Sequence, residues 1–196
     1  KIGAVNTVLN QNGKLIGYNT DGIGAKKALL EKEKSLAGKK ITLIGCGGAA
    51  RAVGFTLVEE KPSKMEILVR EADREAGEKL AHEIQSESGI KTGCLLIESS
   101  PADYDILINT TPVGMSPQMK HSPVSKEWVL PGKTVFDIIY NPKETLLIQY
   151  AREKKCPVVY GYKMLLNQGL EQFRIWTGQE PSAKTMEKIL LRCIKK

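Results

Sequence analysis

A short apolar run in this chain leads into a glycine-rich turn and then into a helix of small residues, a pattern that few folds accommodate. The apolar run, residues 41–44, has the length and β-branching of a buried parallel strand. The turn Gly45-Cys46-Gly47-Gly48 follows it, and a helix is predicted over residues 49–59. A second apolar run at residues 65–69 makes this a strand–helix–strand unit, predicted within residues 41–109, which favours a parallel sheet.

The rest of the chain continues this alternation. Near its start, Asn12-Gly13 supplies the positive φ angles of a tight hairpin turn, and Thr20 or Asp21 is the expected N-cap of the first helix. Strands alternating with helices predict an α/β fold, with a Rossmann-like doubly wound parallel sheet and helices on both faces. The other predicted strands are residues 4–9, 15–18, 105–109, 134–138 and 157–160, and the other predicted helices are residues 23–33, 73–86, 144–154, 163–177 and 182–194.

The glycine turn predicts a dinucleotide site. Gly45-Cys46-Gly47-Gly48-Ala49-Ala50 fits the pattern G-x-G-x-x-A. Gly45 permits the tight turn, Gly47 lets the backbone approach a pyrophosphate, and Ala50 lets the helix pack closely on the strand. The helix N-terminus offers free N–H groups to the phosphates. The competing interpretation is a glycine-rich turn without a ligand.

The end of the second strand selects the cofactor, because an acidic residue there binds the ribose hydroxyls of NAD and an arginine favours the 2′-phosphate of NADP. This chain has Arg70 followed by Glu71, with Arg74 nearby. Arg70 predicts NADP, whereas a Glu71 carboxylate aimed at the same site would repel the phosphate. Arg70 as an ordinary surface residue is the alternative.

Composition excludes several classes of protein. The net charge is +7, but the lysines are interleaved with glutamates along predicted helices, which is typical of solvated faces. A modest positive charge of this kind suits an anionic small molecule better than a nucleic acid.

The four cysteines are far apart and only two histidines are present, so no metal site is expected. No apolar run is long enough to span a membrane, and reduced thiols favour a cytoplasmic location.

Six motifs then resemble those of shikimate dehydrogenases, in that family's order and spacing over essentially the whole chain. They are Gly3-Ala4-Val5-Asn6-Thr7, Gly17-Tyr18-Asn19-Thr20-Asp21-Gly22, the glycine turn with Arg51, Asn109-Thr110-Thr111-Pro112-Val113-Gly114-Met115, Asp137-Ile138-Ile139-Tyr140-Asn141-Pro142, and Met164-Leu165-Leu166-Asn167-Gln168 with Trp176-Thr177-Gly178.

The resemblance implies a two-domain oxidoreductase that reduces 3-dehydroshikimate to shikimate with NADPH, in chorismate and aromatic amino-acid biosynthesis. It implies that Asp21 is a catalytic residue that also binds substrate, and that Asn6, Tyr140 and Gln168 contact the substrate. The implied cofactor residues are Gly45, Cys46, Gly47, Gly48 and Ala49 at the pyrophosphate, Arg70 at the 2′-phosphate, and Ile138 and Gly161 at the nicotinamide.

Each of these residues also has a simpler interpretation. Asp21 could only cap a helix, Asn6 could satisfy hairpin backbone groups, Gln168 could be an exposed helix residue, and Tyr140 could be a core aromatic. Lys163 stands where relatives usually have glycine, so it either alters the mouth of the cleft or points to solvent.

The resemblance also implies a catalytic lysine in a substrate-binding domain upstream of the Asn6 strand, outside these 196 residues. We therefore expect residues 1–20 to be the end of that domain, residues 21–178 the NADP-binding Rossmann domain, and residues 179–196 a helix returning towards the substrate domain. The missing N-terminal domain would be the partner, and the fragment alone would be inactive. Two alternatives stay open: a quinate/shikimate dehydrogenase that uses NAD, favoured by Glu71, and a dinucleotide-binding module without chemistry.

Overall fold

The centre of the molecule is a parallel six-stranded sheet. The structure is a computed structural model that describes residues 2–99 and 103–194. The sheet contains β3 (Lys40–Ile44), β4 (Lys64–Val69), β5 (Thr92–Leu96), β6 (Ile106–Asn109), β7 (Thr134–Asp137) and β8 (Val158–Tyr160). Their spatial order is β5-β4-β3-β6-β7-β8, so the chain starts in the middle, winds to one edge, returns and winds to the other. This is the order of a dinucleotide-binding doubly wound fold, as predicted.

A separate two-stranded sheet precedes it. Here β1 (Thr7–Gln11) pairs antiparallel with β2 (Lys14–Tyr18), with Thr7 opposite Tyr18. The turn residues Asn12 and Gly13 have φ angles of 52° and 85°, which confirms the predicted hairpin turn. The first strand was expected to begin at residue 4 and instead begins at Thr7.

Within residues 2–99 and 103–194, six α-helices cover the sheet and extend beyond it. They are α1 (Asp21–Leu30), α2 (Gly48–Leu57), α3 (Arg74–Ser88), α4 (Leu146–Glu153), α5 (Gly161–Thr177) and α6 (Ala183–Cys193). One apolar core lies between the sheet and α1, α2 and α3, and includes Leu29, Val53 and Ile84. A second core lies on the opposite face and contains Leu107 and Leu147. No helix of the described residues is long and apolar enough to cross a membrane.

One strand was missed from sequence. The edge strand β5 has the sequence Thr-Gly-Cys-Leu-Leu, which lacks the β-branched alternation that identifies the other strands. Its pairing with β4, from Met65 opposite Thr92 to Val69 opposite Leu96, adds it to the sheet. Several helix ends also differ by a few residues; for example α1 begins at Asp21 rather than at residue 23, and α5 begins at Gly161 rather than at residue 163.

Candidate active site

The sheet changes winding direction between β3 and β6, and the carboxyl ends of these strands face a common crevice. At this edge the backbone N–H of Thr110 donates to Ile44 O over 3.0 Å, and the Thr110 hydroxyl donates to the same oxygen over 2.6 Å. Gly45 N donates to Leu68 O over 2.8 Å, so the turn after β3 is tied to both neighbouring strands. Crevices at such a switch point are where doubly wound sheets bind ligands.

The glycine turn has the geometry that a pyrophosphate requires. Gly45 has a φ of +102°, and a Cβ there would lie 2.8 Å from Thr111 Cγ2, so only glycine fits. In contrast, a Cβ at Gly47 or Gly48 would meet nothing within 4 Å, so open space lies over the turn. Gly47 is the N-cap of α2 and has no side chain to cap the helix, which leaves its first N–H groups available to an anion.

A cleft of about 500 Å³ adjoins this turn. Among the predicted cofactor residues, Gly45, Cys46, Gly47 and Arg70 line it, whereas Gly48 and Ala49 form the first turn of α2 beside it. Burial, with the nearby Asp73 carboxylate, raises the pKa of the Cys46 thiol, so it is a neutral wall rather than a nucleophile. The other walls of the cleft are mostly apolar and suit the flat face of an adenine. They are formed by Leu68, Val69, Ile97, Thr110, Pro112 and Val113.

Ion pairs follow β4, at the position that the sequence predicts to select the cofactor. Both Arg70 Nε and Arg70 Nη2 donate to Asp73 Oδ2, over 2.9 and 2.6 Å. Arg74 binds both carboxylate oxygens of Glu71 at 2.8 Å. The hydrogen bond with Arg74 lowers the pKa of Glu71, so this carboxylate stays charged and occupied. Asp73 lines the cleft and binds Arg70, whereas Glu71 does not line the cleft. From the sequence, Glu71 was considered as the carboxylate beside Arg70, and the structure shows that it is Asp73.

The hairpin and α1 bring together two predicted substrate residues. Asn6 Nδ2 donates to Asp21 Oδ1 over 2.8 Å, and Asn6 Oδ1 accepts from Thr20 N over 2.9 Å. Thr20 is the N-cap of α1 as expected, yet neither its side chain nor that of Asp21 caps the helix. Asn19 Oδ1 accepts from Asp21 N instead, over 3.0 Å. Asp21 therefore presents its carboxylate to Asn6 and to the surface in front of it.

Gln168 lies on α5, where this helix packs against α1. A Cβ at Gly24 would lie 3.1 Å from Gln168 Cβ and 2.8 Å from Met164 O, so the glycine permits the close approach. One turn further along α5, Gln172 Nε2 donates to Thr7 Oγ1 over 3.1 Å, which attaches the helix to the hairpin. Gln168 is half-buried rather than an exposed helix residue.

The third group of predicted residues lies after β7. Tyr140 is 44% exposed, which excludes the core-aromatic interpretation. Gly161, at the start of α5, is buried against this segment, because a Cβ there would lie 2.3 Å from both Ile138 O and Ile139 O. Ile138 is half-buried and packs against the core, so neither it nor Gly161 lines the cleft at the glycine turn.

A buried polar network holds this segment in place. Asp137 is fully buried and accepts hydrogen bonds from Thr145 Oγ1 (2.6 Å), Asn109 Nδ2 (3.0 Å) and Ile139 N (3.1 Å). Asn109 Oδ1 in turn accepts from Thr111 N over 2.9 Å. Burial raises the pKa of Asp137 to about 6, although these hydrogen bonds lower it. The network joins the segments that follow β6 and β7.

Sequence reasoning missed Asp73 and Asp137 as contributors to this region. Asp137 ends a buried strand and Asp73 lies three residues after Arg70, so the position of each relative to a strand end was the available signal. Lys163 Nζ lies 2.9 Å from Glu31 Oε2 and 2.8 Å from Glu187 Oε1, so it links α5 to the end of α1 and to α6, and it does not line the cleft at the glycine turn. Among the described residues, no group of three or more His, Cys, Asp or Glu could hold a metal ion.

The strand order, the glycine turn and the adjoining cleft define a Rossmann-type dinucleotide-binding protein. A family model described as the shikimate 5'-dehydrogenase C-terminal domain matches residues 161–191. The shikimate dehydrogenase (NADP(+)) of Geobacillus kaustophilus is 39% identical over 197 residues, which cover 100% of this chain and 71% of that protein. The chain belongs to the shikimate dehydrogenase family, whose members are oxidoreductases.

Solved structures agree with this assignment. A crystal structure of a shikimate dehydrogenase in complex with NADP+ matches with a TM-score of 0.90 and 39% identity, over 100% of this chain and 68% of that one. A quinate dehydrogenase from Corynebacterium glutamicum in complex with NAD matches with a TM-score of 0.87 and 28% identity, over 97% of this chain and 68% of that one. Both the predicted fold class and the predicted family are therefore confirmed.

Proposed function

We propose that this chain provides the cofactor-binding part and one side of the substrate site of an NADP-dependent shikimate dehydrogenase, which reduces 3-dehydroshikimate to shikimate. The observation that carries the proposal is the open glycine turn at the switch point of the sheet, combined with an Asn6–Asp21 pair that faces outwards. The residues present fit a dinucleotide, because the helix N-terminus is uncapped and a cleft lies beside it.

In this proposal, the backbone N–H groups from Gly45 to Ala49 bind the pyrophosphate and the Arg70 guanidinium binds the 2′-phosphate. Ile138 and Gly161 form the surface on which the nicotinamide rests. NADPH, when bound, supplies the hydride that reduces the ring ketone. The buried Asp137 network maintains the backbone of this surface, since Asp137 binds Ile139 N directly.

Substrate recognition falls to hydroxyl-binding side chains. The Asn6 amide holds one oxygen of Asp21, and the described residues form no hydrogen bond to the other, which is left to accept from a ring hydroxyl. Gln168 and Tyr140 read further hydroxyls, and a site built for hydroxyls rejects analogues that lack them. The alkoxide that forms needs a proton, and the family resemblance assigns this to a lysine outside these 196 residues, oriented by Asp21.

The same proposal divides the chain. Residues 1–20 belong to the substrate-binding domain, residues 21–178 to the NADP-binding domain, and residues 179–196 to a helix that returns towards the substrate domain. The hairpin forms its own sheet, which supports the first of these boundaries. We expect the binding partner to be the small-molecule substrate and not a nucleic acid. We also expect the protein to be located in the cytoplasm.

The direct test is shikimate-dependent reduction of NADP+ by the natural full-length protein, followed by the absorbance of NADPH. Asp21→Asn should lower kcat by about a hundredfold or more, because the amide cannot orient a cationic proton donor. Glu59→Gln changes an exposed acid near the end of α2 and serves as the matched control. Full activity in Asp21→Asn would remove Asp21 from the catalytic pair.

A quinate/shikimate dehydrogenase that uses NAD is the second candidate. It is favoured by the pairing of Arg70 with Asp73, which occupies the guanidinium that a 2′-phosphate would need, and by the resemblance to a quinate dehydrogenase in complex with NAD. Comparing quinate with shikimate, and NAD+ with NADP+, as substrate pairs separates the two enzymes. A protein that binds either cofactor but turns over neither substrate would instead be a binding module.

A further inference from the structure

An ion pair directly after β4 occupies the guanidinium of Arg70. Its side chain is 69% exposed, yet two of its nitrogens already bind a single oxygen of Asp73. The backbone reinforces this pairing, because Asp73 N donates to Arg70 O over 2.9 Å. Arg70 and Asp73 also both line the cleft beside the glycine turn, so the ion pair lies in the space where a cofactor phosphate would meet the guanidinium.

Asp73 has a second set of donors within the same segment. It is the N-cap residue of α3, the position where an aspartate normally accepts hydrogen bonds from the first N–H groups of the helix. Here its side chain makes no such bond, because the carboxylate is turned towards Arg70. The carboxylate therefore has two alternative roles: it can pair with Arg70, or it can cap α3 when Arg70 is engaged elsewhere.

The neighbouring pair does not share this property. Glu71 is held by both nitrogens of the Arg74 fork and does not line the cleft. The Glu71 charge is therefore compensated by Arg74, whereas among the described residues Asp73 forms an ion pair with Arg70 alone, the residue that a phosphate would engage. A dianionic phosphate on Arg70 would bring like charges close together in the cleft.

Resting on the proposed function, we propose that Asp73 is the specificity-determining residue for the cofactor: its carboxylate occupies Arg70 as an internal substitute for the 2′-phosphate and weakens NADP binding without affecting NAD. The chain thereby distinguishes the two dinucleotides less sharply than an arginine at this position would by itself. Removing the Asp73 charge releases Arg70 for the phosphate and removes the repulsion, so the NADP preference increases.

The test is calorimetric titration of the 196-residue chain and of the natural full-length protein with NADP+, NAD+ and adenosine 2′,5′-bisphosphate. Asp73→Asn keeps an N-cap side chain of the same shape and should tighten NADP+ and the bisphosphate by about three- to tenfold, with NAD+ unchanged within about twofold. The gain should shrink when salt is raised to about 0.5 M, because exposed charges are screened.

Glu71→Gln is the matched control, because it removes one carboxylate from the same segment at a position outside the cleft. It should change the NADP+ to NAD+ affinity ratio by less than about twofold. An unchanged ratio in Asp73→Asn, or an equal gain for both dinucleotides, would overturn the inference and leave the proposed function intact. Absence of binding of either dinucleotide to the unaltered proteins would instead refute the proposed function itself.

Discussion

Asp137→Asn offers a quantitative test of the buried network, because it removes a titrating group while keeping its shape. Burial raises the pKa of Asp137 from 3.8 to about 6. The ionised carboxylate is thus less stable in the folded protein than in the unfolded chain, and the shift corresponds to about 3 kcal/mol at pH values above both pKa values. The asparagine oxygen can still accept from Ile139 N and Asn109 Nδ2.

The sign of the pH dependence follows directly. A carboxyl with a raised pKa contributes stability that is fully present below about pH 4 and is lost as the pH rises through about 6. Asp137→Asn has no such titration, so the difference between its free energy of unfolding and that of the unaltered protein should increase in its favour by about 2 kcal/mol between pH 4 and pH 7. Other groups titrate equally in both proteins and cancel in the difference.

Urea unfolding at several pH values measures this difference. Thr145→Val is the second variant, because it removes a hydrogen bond that lowers the pKa of Asp137. Thr145→Val should raise the pKa of Asp137 in the folded protein further, so that stability continues to fall up to a higher pH. The variant should also lose about 1 kcal/mol of stability at every pH, because the side-chain cap of α4 is missing. A gap between Asp137→Asn and the unaltered protein that stays constant within about 1 kcal/mol over the pH range would refute the reasoning.

Three further substitutions test other parts of the structure. Gly45→Ala should destabilise the protein by about 2–4 kcal/mol, measured by thermal or urea unfolding, because its φ of +102° and its contact with Thr111 exclude a Cβ. Gly47→Ala should leave stability within about 1 kcal/mol but weaken NADP+ binding at least tenfold by calorimetry, since its Cβ would enter only the open space over the turn. Tyr104→Phe should cost about 1–3 kcal/mol in urea unfolding, because the buried hydroxyl donates to Trp128 O over 2.5 Å; a neutral result would show that these groups find other partners.

The strands that were predicted correctly are those whose sequence alone specifies burial. Residues 41–44 and 65–69 are almost entirely apolar and lie in the centre of the sheet, buried on both faces. The edge strand β5 was missed because it is half-buried and contains Gly93, so its conformation depends on pairing with β4. Local propensity carries little information about such tertiary pairing.

The residues of the site also divide into those that a local motif identifies and those whose contacts depend on the tertiary structure. The backbone geometry of Gly45 and the open space at Gly47 could be predicted from sequence, because both follow from the absence of a Cβ at fixed positions in a motif. The partner of Arg70 could not be assigned, since both Glu71 and Asp73 are within reach and only the geometry shows that Arg74 takes the first of them. The contact of Asn6 with Asp21 likewise joins residues from two parts of the chain, and the family resemblance implied only that each of them contacts the substrate.

The two glycines of α1 have a consequence for the energetics of substrate binding. A Cβ at Gly22 would lie 1.9 Å from Thr56 Oγ1 on α2, and one at Gly24 would meet α5. The helix that begins with Asp21 is therefore in backbone contact both with the helix that begins at the glycine turn and with the helix that carries Gln168. Because these close contacts set how α1 packs against α2 and α5, we expect the spacing between the proposed substrate groups and the cofactor turn to be preorganised, so that little conformational entropy is lost when a ligand binds.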